Sequence, residues 1–119
     1  MTVSPAPAAP DVELLSVPDA AAVAGLSVLK IEQLVKDGAL VVIRSPHGRR
    51  ALPAGFLAPG GAVKHLPAVI TLLRDGGYDD ESIVRWLYAD DPTLPGTPIQ
   101  ALRDNRGTEI KRRAQAAAF

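Results

Sequence analysis

A mainly α-helical winged helix-turn-helix, with a short β-hairpin wing and additional C-terminal helices, is the fold class that three features of this sequence predict. Two short apolar-periodic segments are separated only by the tight "GLS" at Gly25 to Ser27. A β-branched run, Val41 to Ile43, follows the second segment and leads through "SPHG" into "RRAL", the order of strand, turn and returning strand. Beyond the hairpin, apolar residues recur at helical spacing between proline and glycine stops.

With 119 residues the chain suffices for one modest core. Residues 1–11, beginning "MTVSPAPAAP", are Ala- and Pro-rich without an apolar period and are expected to form a flexible tail. Residues 12–119 are expected to form a single domain, in which 12–58 hold the helix-turn-helix and wing and 59–119 the C-terminal helical part. The composition is 47% hydrophobic but only 4% aromatic, so small and branched side chains must fill that core.

The first helix starts at Ser16, whose hydroxyl is placed to cap a turn containing Pro18 and Asp19, and stops at Gly25. Ser27 caps the second. Its apolar residues Val28, Ile31, Leu34 and Val35 fall within roughly 100° of arc, and Leu29, Lys30, Glu32, Gln33 and Lys36 occupy the other side. Asp37-Gly38 ends this helix, since glycine readily takes the left-handed conformation that closes a final turn. Val41 to Ile43 and Arg49 to Leu52 are the expected strands of the wing.

In "LPAVITLLRDGG", Leu66, Val69, Ile70 and Leu73 form one apolar stripe, Pro67 suits the first turn, and Gly76-Gly77 ends the helix. In "DDESIVRWLYAD", Asp79 or Asp80 caps, and Ile83, Val84, Trp86, Leu87 and Tyr88 supply apolar surface, with Trp86 expected at the centre of the core. "TPIQALR" offers a full capping box from Thr97 and Gln100. A last helix over about 108–118 turns Ile110 and Ala114 inward and Lys111, Arg112 and Arg113 outward.

Formal net charge is zero, but the charges are segregated. Between Ser27 and His65 six basic residues (Lys30, Lys36, Arg44, Arg49, Arg50, Lys64) stand against two acids, Glu32 and Asp37. Between Asp75 and Asp91 six acids stand against Arg85 alone. The molecule is therefore expected to be electrically two-sided, with its basic side on the helix-turn-helix.

A basic helix beside a basic hairpin suits duplex DNA, whose closely spaced phosphates attract lysine and arginine with a steep dependence on salt. Lys30, Gln33 and Lys36 are the expected major-groove residues, with the helix N-terminus at Ser27 near a phosphate. Gln33 is the candidate base reader, because an amide pairs with adenine at two positions. Arg44, His47, Arg49 and Arg50 are expected on the wing, on backbone or minor groove.

The same reading excludes other chemistry. No cysteine is present, and two isolated histidines supply no transition-metal set, so neither metal nor cofactor is expected. Neither glycine pair, Gly60-Gly61 nor Gly76-Gly77, has phosphate-loop spacing, and no nucleophile sits with a base, so an enzyme is not expected. No apolar run is long enough to span a bilayer and no signal-peptide order is visible, which leads to a cytoplasmic expectation without membrane insertion. Without a terminal heptad repeat the expected state is a monomer, with a dimer as the alternative.

"SVPDAAAVAGLSVLKIEQLVKDGALVVIRSPHGRRALP" resembles the helix-turn-helix of MerR and excisionase type, where a Gly-Leu/Val-Ser turn precedes the recognition helix and Asp-Gly-x-Leu leads to a basic wing. Glu32 stands where many such helices carry arginine. "KHLPAVITLLRDGGYDDESIVRWLYADDPTL" and "EIKRRAQAAAF" resemble an actinobacterial family of small winged-helix DNA-binding regulators, whose mycobacterial member is linked to a membrane Ser/Thr protein kinase. The likeness covers nearly everything after the tail. It implies DNA binding as a transcriptional regulator or nucleoid-associated factor, no catalysis, and a Ser/Thr protein kinase as a further partner. Thr2 and Ser4 are the hydroxyls the tail offers for phosphorylation.

A second likeness supports a rival. "WLYADDPTLPGTPIQAL", Trp86 to Leu102, is similar to a helical domain at the C-terminus of many antitoxins that serves protein contact. It implies a protein-interaction adaptor that uses the acidic face and the C-terminal helices.

Overall fold

A computed structural model describes residues 12–118. The tail expectation for residues 1–11, and with it Thr2 and Ser4, lies outside the described residues.

The chain opens with a two-residue strand, β1 (Leu14–Leu15), and enters α1 (Val17–Ala24). Ser16 starts that helix as expected, its hydroxyl accepting from the Asp19 N–H at 3.2 Å. Gly25 closes it with φ 70°, and the Leu26 N–H returns to the Ala21 carbonyl. The turn then delivers Ser27, which caps α2 (Val28–Lys36) by accepting from the Lys30 N–H at 3.1 Å.

The wing consists of β2 (Ile43–Arg44) and β3 (Arg50–Pro53), antiparallel with Ile43 opposite Ala51 and Arg44 opposite Arg50. It differs from the expected hairpin at both strands. Val41 and Val42 stay outside the ladder: the Ala39 and Leu40 N–H groups still donate to the Leu34 carbonyl at the end of α2, and Leu40 and Val41 are buried as anchors. The return strand begins at Arg50, because the Arg49 carbonyl is taken up in closing the turn with the Ser45 N–H. β3 is also the central strand, flanked on its other side by β1, with Leu15 opposite Leu52.

A 3-10 turn (Ala54–Phe56) leads into a second small hairpin, β4 (Leu57–Ala58) and β5 (Gly61–Ala62). Its Gly60 N–H donates to the Ala24 carbonyl, fixing the end of α1. Four helices follow: α3 (Leu66–Asp75), α4 (Asp80–Tyr88), α5 (Pro98–Arg103) and α6 (Gly107–Ala117). The predicted stripe Leu66, Val69, Ile70 and Leu73 is buried throughout. Asp79 caps α4. At α5 only half of the expected capping box forms: Thr97 accepts from the Gln100 N–H, but the Gln100 side chain donates to Asp104 instead.

One cluster of buried side chains draws on both halves of the chain, with Ile31, Leu52 and Phe56 meeting Ile70, Leu87 and Ile110. Phe56, without solvent exposure, takes the place expected of Trp86, and its ring stacks on Tyr88 at 6.0 Å. Trp86 is only half-buried. The core face of α4 is Ile83, Val84 and Leu87; Trp86 lies about 100° of helical rotation from Leu87 and so falls at the rim. Val28 likewise leaves the core, 43% exposed, because a first-turn side chain leans towards the N-terminus, where its own helix offers nothing to cover.

Two packing points set how α6 and the C-terminus sit. His65, left-handed at φ 71°, starts α3 and lays its ring where a Cβ on Gly107 would overlap it. Burial, then the charges of Lys111 and Lys64, push the His65 pKa below its ordinary value. At the other end of α3, a Cβ on Gly76 would meet Ala118.

Candidate nucleic-acid interface

α2 exposes a stripe made by Leu29, Gln33 and Lys36, with Lys30 beside it, while Ile31 is fully buried on the opposite side. Ser27 stands at the head of this stripe as the cap. Gln33 is not a free amide: its Nε2 donates to Asp37 Oδ1 at 2.9 Å. That bond occupies one of its two N–H groups and also engages one of the two acids of this basic region.

The wing is organised by Ser45. Its hydroxyl accepts from the N–H groups of His47 and Arg49, and Gly48 at φ 81° allows the chain to reverse. His47 and Arg49 therefore project from the exposed tip. Arg44 folds back instead, donating from Nη1 to the Gly48 carbonyl at 2.8 Å, so it stiffens the turn with its charge near the surface.

Arg50 joins the two elements. Its guanidinium donates twice to the Glu32 carboxylate, at 2.8 and 2.9 Å, a fork geometry that fixes both side chains. The hydrogen bonds, and the opposite charge, hold the Glu32 carboxyl below its usual range and raise Arg50. Glu32 here neutralises Arg50 and links α2 to β3. Among the described residues, Lys30, Lys36, Arg44 and Arg49 make no ion pair. Ser27 thus caps the helix that carries Lys30, Gln33 and Lys36, and the pair between Arg50 and Glu32 links that helix to β3, while Arg44, His47 and Arg49 lie on the wing.

The support of this surface was not readable from sequence. The 3-10 turn after β3 is held from the C-terminal half: Tyr88 Oη accepts from the Gly55 N–H at 3.1 Å, and Arg103 Nη1 donates to the Gly55 and Leu57 carbonyls at 2.9 and 3.0 Å. A Cβ on Gly55 would lie 2.5 Å from that phenolic oxygen. Burial raises the Tyr88 pKa, keeping the hydroxyl neutral.

The acidic region is differently employed. Asp79 caps α4, Asp80 pairs with Arg74 at 2.7 Å, and Asp91 accepts from Thr93 and from Arg113 at 3.2 Å. Trp86, Asp90, Asp91, Pro98, Arg113 and Ala117 line an open cavity of about 450 Å³ on that side. Among the described residues no group of three or more His, Asp or Glu is arranged to hold a metal ion, and no helix is long and apolar enough to cross a membrane.

Residues 5–57 match a family model described as "DNA-binding protein Rv2175c, wHTH domain", and residues 63–118 match "Rv2175c C-terminal domain of unknown function". The DNA-binding protein Rv2175c of Mycobacterium tuberculosis (strain ATCC 25618 / H37Rv) is 36% identical over 122 residues, which span 92% of this chain and 84% of that protein. The NMR structure of Rv2175c superposes with a TM-score of 0.81 at 35% identity, over 95% of this chain and 89% of the other.

Proposed function

The chain belongs to the Rv2175c family of winged helix-turn-helix proteins, and on that premise we propose that it binds duplex DNA through α2 and the β2–β3 wing. The observation that carries the reading is that Lys30, Lys36 and Arg49 project from α2 and the wing without counter-charges among the described residues, the exposed Arg50–Glu32 clamp linking the two elements. Lys30 and Lys36 meet phosphates flanking the major groove, Ser27 brings the helix N-terminus to the backbone, and His47 and Arg49 follow the neighbouring strand. Gln33 reads with what remains of its amide, and Arg44 and Arg50 act chiefly by shaping the surface.

The role is that of a transcriptional regulator or nucleoid-associated factor without catalysis. Residues 12–119 act as one domain and as a monomer, the C-terminal helices bracing the reading head through Tyr88 and Arg103. A Ser/Thr kinase acting on Thr2 or Ser4 is a further proposal, resting on resemblance alone.

A mobility-shift titration at two salt concentrations tests the reading. Binding is expected to weaken steeply with salt, and Lys30→Ala combined with Lys36→Ala is expected to lower the slope of log affinity against log salt by about two. A chain that binds no duplex at low salt would overturn it. The Trp86 cavity favours a second reading, a protein adaptor, which that outcome would bring forward.

A further inference from the structure

Among the described residues three large hydrophobic side chains are exposed: Val23 at 56%, Val28 at 43% and Leu29 at 81%. All three belong to the helix-turn-helix, and Leu29 is the most exposed of them. A single surface leucine needs no special explanation in general. The position of this one does. It lies in the first turn of α2, on the stripe that continues through Gln33 and Lys36, with Lys30 next to it and buried Ile31 pointing the other way.

The N-terminal residues of a recognition helix are those that contact base edges. In the major groove thymine alone displays a methyl group, and hydrocarbon side chains distinguish it by packing against that group. The polar reader on the same stripe is partly engaged, since one N–H of the Gln33 amide donates to Asp37, and it sits a turn further along the helix. What the stripe offers a base edge at its leading end is hydrocarbon, beside the cations of Lys30 and Lys36 that suit the phosphates alongside.

We infer that Leu29 is a specificity-determining residue that packs against the 5-methyl group of thymine when α2 enters the major groove. This rests on the DNA-binding reading and adds to it a base preference that the lysines and arginines do not supply. Phosphate contacts fix register and carry no sequence information themselves. The methyl contact converts a salt-driven surface into one that favours T·A pairs at the position under the first turn of α2.

The test uses the full chain and four short duplexes of one length: alternating A·T, the same with deoxyuridine for every thymine, alternating G·C, and the same with 5-methylcytosine for every cytosine. The first substitution removes only the methyl group, and the second adds it at the corresponding place on the pyrimidine. The wild-type chain is expected to bind the thymine duplex about fourfold more tightly than the uracil duplex, the equivalent of burying one methyl group. The 5-methylcytosine duplex should likewise gain over plain G·C. Leu29→Ala should bring both ratios to about one and leave the salt slope unchanged, whereas Leu29→Met should retain the preference. Leu29→Gln, followed by circular dichroism, repeats the test with a second helix-compatible side chain should the alanine variant misfold.

Equal wild-type binding to thymine and uracil, or discrimination that survives Leu29→Ala, would overturn the inference while duplex binding itself stands. Failure of every duplex to bind would remove it together with the function proposed above. Sedimentation run alongside covers the other occupant: self-association lost in Leu29→Ala with an unchanged thymine-to-uracil ratio would assign this leucine to a second copy of the chain and overturn the base contact.

Discussion

The helix-turn-helix with its wing and the helical C-terminal half use the same kinds of charged residue in opposite ways. From α3 onward, Arg74, Arg106 and Arg113 are tied to Asp80, Glu109 and Asp91, and Arg103 holds backbone carbonyls. In the first half only Arg50 is bound to an acid among the described residues, and Lys30, Lys36 and Arg49 stand open. A count of charges hardly distinguishes the two halves, with five basic and four acidic residues over 12–58 and eight of each over 59–119. Partnership separates them in degree: three arginines of the C-terminal half are tied to acids, with Lys111 and Arg112 left without an ion pair among the described residues, whereas along α2 and the wing Lys30, Lys36 and Arg49 are available to an outside polyanion.

The strongest way to break this comparison is to remove what the halves share. Phe56→Ala takes away a fully buried ring that stacks on Tyr88 and should cost about 3–5 kcal/mol, measured as a lower urea midpoint in a single transition for both halves. Two separate transitions would instead mean that the halves fold independently.

Glu32→Gln sharpens the contrast. The pair it disrupts is exposed, so stability should change by less than about 1 kcal/mol. Duplex affinity should rise, because an anion leaves the basic surface and Arg50 is released, and the salt slope should steepen by about one. A mobility shift read beside a thermal melt gives both quantities. A fall in affinity would show that the clamp matters more for holding α2 and wing together than the charge it consumes.

The smallest effect is expected at His65, in the C-terminal half. Its folded-state pKa lies below the ordinary 6.5, so the unfolded chain takes up a proton before the folded one does. The neutral ring's contribution is therefore complete above that ordinary value and is lost as pH falls towards the depressed one. Melting temperature should decline slightly from about pH 7.5 to about pH 5.5, a window above the ordinary carboxylate range. In His65→Asn, which tolerates the left-handed backbone, that decline should disappear.

Helices were legible wherever a side chain near in sequence fixes an end. Ser16, Ser27, Asp79 and Thr97 each cap a turn three residues away, and the Leu66-to-Leu73 stripe states its own buried face. β1, β4 and β5 were not legible, since strands of two residues have no alternation and exist through their partners. Of the candidate surface, the residues along α2 can be read from period, which sets Leu29 on the outer arc and says nothing of its role. The link between Glu32 and Arg50 could not be read: the two are eighteen positions apart, and each alone resembles an ordinary solvated charge. Tyr88 and Arg103 were invisible as supports for the same reason, their targets being backbone atoms of a remote turn.

Those two supports limit how the molecule can be dissected. A fragment cut just after β5 would retain Phe56 but lose the phenol above it, and the Gly55 amide and two neighbouring carbonyls would be left to find water. A minimal recombinant reading head is therefore a poor substitute for the intact chain, and weak binding by such a piece would report its collapse and say little about how well the whole protein grips its target.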